Sequence, residues 1–125
     1  MGSRPKNALN DSAWEKMDDG NYDEALKDIL KSIELEPYSH NNDTAAMIYF
    51  NLQNFDNALK YSNESIKLDG TPSKPQHLFT RAQILVKLGE ITKAKKDLED
   101  AFYCEDDWDD GYEDAKKLLK EISKN

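Results

Sequence analysis

Gly20-Asn21-Tyr22-Asp23-Glu24-Ala25-Leu26 recurs as Gln53-Asn54-Phe55-Asp56-Asn57-Ala58-Leu59 and again as Gly89-Glu90-Ile91-Thr92-Lys93-Ala94-Lys95. Each copy is a small turn, an aromatic or aliphatic residue, and an Ala at fixed offset opening an amphipathic run. The marker Ala stands at 25, 58 and 94, spacings of 33 and 36 residues. A period in that range is the signature of a stacked helical array. Such arrays expose extended concave surfaces, so the expectation moves from chemistry towards binding.

Working outward, each copy is flanked by two helical patterns. Leu9, Ala13 and Met17 lie four apart and form one face of a short first helix, which Gly20 ends because it tolerates the left-handed conformation there. The second helix carries Tyr22, Ala25, Leu26, Ile29, Leu30, Ile33 and Leu35 until Pro37 stops it. Ala45, Ala46, Tyr49, Phe50 and Leu52 mark a third helix, and Phe55, Ala58, Leu59, Tyr61, Ile66 and Leu68 its partner, closed by Asp69-Gly70-Thr71-Pro72. A fifth helix runs from about Lys74 to Leu88 and a sixth holds Ile91, Ala94, Leu98, Ala101 and Phe102. After the acidic stretch Glu105-Asp106-Asp107 a seventh spans about 109–123, with Tyr112, Ala115, Leu118, Leu119 and Ile122 as its apolar stripe. Its lysines gather towards the C-terminal end, where cations suit the helix dipole. No strand pattern occurs, so the expected class is all-α.

The whole pattern resembles the tetratricopeptide repeat family. A small residue falls midway in each first helix (Ala13, Ala46, Ala82), the marker Ala follows, and a second small residue (Ser32, Ser65, Ala101) precedes the stop. The resemblance implies an α-solenoid of three helix-turn-helix repeats, about 7–38, 40–70 and 74–106, with a capping helix at about 109–123. Residues 7–124 form one domain on this reading, and 1–6 read as a tag or boundary remnant. There are departures: Lys16 stands where the family has an apolar residue, and Gly70 and Asp106 replace the usual Pro.

The chain has 125 residues, 38% hydrophobic and 34% charged, enough for one packed domain. Its 25 acids outweigh 17 bases, a net charge of -8 that disfavours binding to a phosphate backbone. No apolar run approaches the ~20 residues needed to cross a bilayer, so no membrane insertion is expected. Cys104 is the single cysteine; it excludes an internal disulfide and suits a reducing, cytoplasmic setting.

Catalytic chemistry has little to stand on, and no enzyme activity is expected. His40, His77 and Cys104 fall in three separate regions, with no nucleophile elbow, phosphate loop or zinc spacing. No metal and no cofactor are expected. Asp106-Asp107-Trp108-Asp109-Asp110-Gly111 superficially resembles a calcium loop, but aligning its glycine puts Trp108 at a ligand position and Lys117 where the bidentate Glu belongs. The acids read instead as a cap at the positive end of the last helix, with Trp108 as an apolar plug beneath. Asn-x-Ser/Thr triplets at Asn10, Asn42 and Asn63 read as coincidence.

The family resemblance implies that the first helix of each repeat lines a concave groove that takes a partner peptide. The inward-facing candidates are then Asn7, Asn10, Trp14 and Met17; Asp43, Thr44, Met47, Phe50 and Asn51; and Gln76, Phe79, Thr80 and Gln83. Each apolar member is equally placed to pack between helices. Trp14 differs, because it lies off the Leu9–Ala13–Met17 line, and a large aromatic off the core stripe favours binding. Some members of the family hold acidic Hsp70 or Hsp90 tails with a Lys, Asn and Arg clamp. Here the clamp positions fall on Gln76, Thr80, Thr44 and Trp14, with Asn10 where a Lys is expected. Arg81 is one residue from the clamp site, about 100° round the helix. The expected function is therefore a non-catalytic protein–protein interaction module with a neutral to mildly apolar groove. The alternatives are a chaperone-tail receptor with a displaced clamp of Arg81 and Lys87, or a structural self-association or intramolecular docking domain. The expected state is a monomer or a weak self-associate.

Overall fold

A computed structural model describes residues 5–103, 108 and 111–124, with the side chains of 5–7 outside that description. Seven helices follow in order among the described residues: α1 (Pro5–Asp18), α2 (Tyr22–Leu35), α3 (Ser39–Asn51), α4 (Phe55–Asp69), α5 (Pro75–Lys87), α6 (Ile91–Phe102) and α7 (Tyr112–Ile122). The described residues contain no strand. The chain is thus the expected all-α solenoid of helix pairs, α1–α2, α3–α4 and α5–α6, with α7 at the end. Helix α1 begins at Pro5, inside the stretch set aside as a remnant, and α7 begins at Tyr112. Cys104 and the acids Glu105 to Asp107, Asp109 and Asp110 lie outside the described residues, and with them the expected acidic cap.

The small residues of the repeat explain why helices cross closely. Ala13, Ala46 and Ala82, the markers Ala25, Ala58 and Ala94, and Ser32, Ser65 and Ala101 are all 0% exposed. A larger side chain at any of them would hold two helices apart in an interior packed to crystal density. Around them sit three apolar clusters. Ile29 and Ile48 anchor the first, Ile84 the middle one, and Leu85 and Leu98 the last. Trp108 packs on this last cluster, stacked on Phe102 at 5.5 Å between ring centroids and meeting Tyr112 edge-on.

The turns between paired helices need a left-handed residue. It is glycine at Gly20 (φ 82°) and Gly89 (φ 80°), but Gln53 adopts φ 62° at the equivalent place. A side chain in that region costs about 1–2 kcal/mol, part of which glycine returns as chain entropy. Gln53→Gly is therefore expected to stabilise the domain by about 0.5–1 kcal/mol in urea unfolding. A loss of stability would mean the Gln53 side chain holds a contact worth more than its strain.

Lys16, the departure from the family pattern in α1, is absorbed by a partner on α2. Its Nζ donates to Asp28 Oδ2 at 2.7 Å, and the Ser12 hydroxyl donates to the same oxygen at 2.7 Å.

Successive pairs are joined by buried polar contacts of one design. At the first joint the wholly buried Asn41 donates from Nδ2 to the Glu36 carbonyl oxygen (2.9 Å) and to the Ser32 hydroxyl (3.1 Å). At the second, His77 takes the place of Asn41 and Asp69 that of Glu36, with Nδ1–H donating to Asp69 Oδ2 at 2.8 Å. The same Asp69 oxygen accepts from the Lys74 N–H at 3.2 Å, which tethers the start of α5.

Candidate functional site

Side chains of the first helices α1, α3 and α5 share one face, and there the molecule has a groove of about 670 Å³. The first turn of α7 adds Asp114, and Gly111 precedes it. Gly111 stands at φ 87°, a conformation that favours glycine, and a Cβ there would lie 3.3 Å from the Phe79 ring, which would have to shift to make room.

Asn10 and Trp14 line the groove from α1, Thr44 and Met47 from α3, and Phe79, Thr80 and Gln83 from α5. Trp14 is 36% exposed, large and off the core stripe. Asn10 Oδ1 accepts from the Thr44 hydroxyl at 2.9 Å, which ties α1 to α3 across the groove. Phe50 and Asn51 line a smaller hollow of about 160 Å³ with Met47, Thr80 and Gln83. Lys87 continues the Gln76–Thr80–Gln83 stripe towards the end of α5 and is exposed there.

Three candidates stand elsewhere or are already engaged. Met17 is buried in the first cluster, within 3.8 Å of Asn51 Nδ2, because its place on the Leu9–Ala13 line turns it inward. Thr80 is 6% exposed, and its hydroxyl donates to the Gln76 carbonyl oxygen at 3.1 Å. Arg81 points out of the groove altogether. Its Nε and Nη2 both donate to Asp97 at 2.8 Å and its Nη1 donates to Asn63 at 3.1 Å, in a separate hollow between α4, α5 and α6. The displaced-clamp expectation for Arg81 is corrected accordingly: one residue of helical offset carries it to a different face.

The groove floor brings Asp43, one of the expected inward residues, together with His77, which the frame of inward positions did not include. Asp43 is 8% exposed and lines the groove, and its Oδ1 has no hydrogen-bond partner. Its Oδ2 lies 4.0 Å from Nε2 of His77, whose other nitrogen is bound to Asp69. Burial pushes the Asp43 carboxyl up to about 6, against the pull of His77 and the Thr80 hydroxyl. His40 meets the His77 ring edge-on at 5.2 Å, and burial together with His77 and Lys74 pushes its pKa down, leaving it neutral at pH 7. The two histidines, far apart in sequence, thus come together.

The charge balance follows. Among the described residues, Asp11, Asp43 and Asp114 line the groove against Lys74 as the one ammonium. Among the described lining residues acids outnumber bases, where a neutral to mildly apolar groove was expected, because the α1 and α7 rims bring in Asp11 and Asp114, which the frame of inward positions did not include. His77 could have been found by laying the repeats over one another, since it aligns with the buried joint residue Asn41. Among the described residues no cluster of three or more His, Cys, Asp or Glu side chains is placed to hold a metal ion. Among them, too, no helix is long and apolar enough to cross a membrane.

A family model described as the tetratricopeptide repeat matches residues 7–39, 42–72 and 78–103. Comparison with curated protein sequences gives no match. Among solved structures, the chain is similar to the first such domain of Spaghetti (RPAP3) bound to the HSP90 peptide SRMEEVD, at 24% identity and TM-score 0.84, covering 98% of this chain and 94% of that one. It is similar to the first domain of human RPAP3 at 25% identity and TM-score 0.85, covering 98% and 92%. It is also similar to the Yersinia enterocolitica type III secretion translocator chaperone SycD at 20% identity and TM-score 0.85, covering 98% and 94%. At these identities the likeness describes a common architecture.

Proposed function

The chain belongs to the tetratricopeptide repeat family, whose domains mediate protein–protein interactions, and on that premise we propose that its α1–α3–α5 groove receives a peptide segment of a partner protein. The observation that carries this reading is Trp14, a large aromatic left 36% exposed on the wall of a groove built from three repeats. Aromatic side chains on such walls dominate binding energy out of proportion to their number. No enzymatic family is indicated by the comparisons, and the role is one of binding. The chain's acid excess disfavours nucleic acid as the partner, and the lone cysteine suits a cytoplasmic setting.

An acidic chaperone tail, such as the HSP90 peptide held by the RPAP3 domain, is not the occupant supported here. Gln76, Thr80, Thr44 and Trp14 stand at the clamp positions, Arg81 is committed to Asp97, and the lining is acidic.

The test is selection of binders from a random-peptide library on the immobilised domain, followed by titration in a Trp108→Phe background where Trp14 is the sole indole. Bound peptide is expected to shift Trp14 emission, and Trp14→Ala to weaken binding at least tenfold, the scale of an anchor residue worth about 1.4 kcal/mol or more. Unmoved emission with undiminished affinity in Trp14→Ala would rule the groove out. A mass that doubles with concentration, and reverts in Trp14→Ala, would make the groove a contact between copies of the chain instead.

A further inference from the structure

We infer that the groove selects a basic segment: a Lys or Arg side chain of the partner lies along Trp14, Met47 and Phe79 and places its charge on Asp43. This deepens the groove reading above and rests on it.

Asp43 is the decisive residue. It is a carboxylate in the lining of a binding groove, on a residue only 8% exposed, and its Oδ1 has no hydrogen-bond partner. Buried polar groups in folded proteins are hydrogen-bonded, and an exception at a groove points to a missing partner. His77 does not fill the role, since it stands 4.0 Å away and spends Nδ1–H on Asp69, and the nearby Thr80 hydroxyl has one proton, which it gives to the Gln76 carbonyl oxygen. A carboxylate accepts only, so the complementary group must donate, and a cation donates most strongly. The surroundings fit such a group. Indole and phenyl faces attract cations, and the methylenes of a Lys or Arg stem pack against Met47 and Phe79. Asp11 and Asp114 on the rims add long-range attraction that draws a basic segment in and turns an acidic one away.

The pH behaviour is part of the inference. The titratable groups sharing this space are His77 from α5 and Lys74 just before it, Asp69 from the end of α4, His40 from α3 itself, Asp11 from α1 and Asp114 from α7. Burial has moved Asp43 up to about 6, so its charge is present at pH 7 and is lost as pH falls through that value. Cation binding should weaken with it.

The experiment runs the same random-peptide selection in parallel on the wild type, on Asp43→Asn and on Trp14→Ala. The wild type is expected to enrich peptides with a central Lys or Arg between apolar residues, and Asp43→Asn to lose that enrichment. For the best peptide, affinity is expected to fall at least roughly tenfold in Asp43→Asn and on replacing its central cation by Gln, as when one partner of a buried charge pair is removed. It should also weaken between pH 7 and pH 5. Asp11→Asn and Asp114→Asn, on exposed rim residues whose loss the fold tolerates, are expected to slow association and flatten its salt dependence. Enrichment of acidic or uncharged apolar peptides, bound equally by Asp43→Asn, would overturn the basic-segment inference and leave the groove reading standing. If no selected peptide depends on Trp14, both fail.

Discussion

Replacing Arg81 by Ala is expected to cost the domain about 3 kcal/mol of stability and to leave groove binding unchanged. The reason is what the substitution leaves behind. Asp97 is 5% exposed, and Arg81 meets it with two parallel bonds of 2.8 Å. The pair itself adds little beyond the cost of burying it, but an abandoned carboxylate under α5 has no way to recover its hydration. Asp97 in turn holds the guanidinium above its ordinary pKa, so the arginine keeps its charge. Urea unfolding monitored by circular dichroism gives the loss, and a titration with a groove-binding peptide gives the affinity. A loss below about 1 kcal/mol would mean that water reaches Asp97 once the arginine is gone. The double variant Arg81→Leu with Asp97→Leu should recover most of the stability, because it removes the orphaned charge along with its partner.

Asp43→Asn works in the opposite direction. A carboxyl whose pKa is 3.8 in the unfolded chain and about 6 in the folded one binds its proton more tightly in the native state. Native stability therefore falls as pH rises from about 4 to 6 and stays low above that window. An amide carries no charge to bury, so the variant is expected to gain about 2–3 kcal/mol over the wild type at pH 7. At pH 3.5 the two should unfold alike. The companions of Asp43 on the floor, Asp69 and His77, remain in both proteins, so the difference between the two curves isolates Asp43. Parallel curves across pH 4 to 7 would show that the carboxylate is not confined as described. A stabilised variant that no longer binds is the mark of a charge kept in place for a ligand, since natural sites trade stability for function.

Much of the fold was legible in the chain because the repeat imposes the same steric demand three times. Ala25, Ala58 and Ala94 announce close crossings, and Ala13, Ala46 and Ala82 announce their partners. Lys16 looked like a flaw because its compensation, Asp28, belongs to a different helix. Met17 was ambiguous for a physical reason: four residues along from Ala13 it shares both the core line and the edge of the inward face. Side chains that meet across joints were the least legible. Asp69 and His77 are eight residues apart with a turn between them, and Asp43 is 34 residues before His77. No local periodicity links such positions; only the stacking of one repeat on the next brings them to one floor. The acidity of the groove was hidden for the same reason, since Asp114 reaches it from α7, beyond the three repeats.

The two joints, Asn41 on Ser32 and Glu36, and His77 on Asp69, determine how the groove meets its ligand. A three-link chain with free hinges would have to close around a peptide and surrender hinge entropy as it did so. Here each hinge is already locked by a buried side chain, so the spacing of α1, α3 and α5 is set before any encounter. Binding then resembles docking into a mould: the ordering cost falls on the flexible peptide and hardly on the domain. Such a receptor discriminates by length and register, because it cannot adjust its own span to forgive a poor fit.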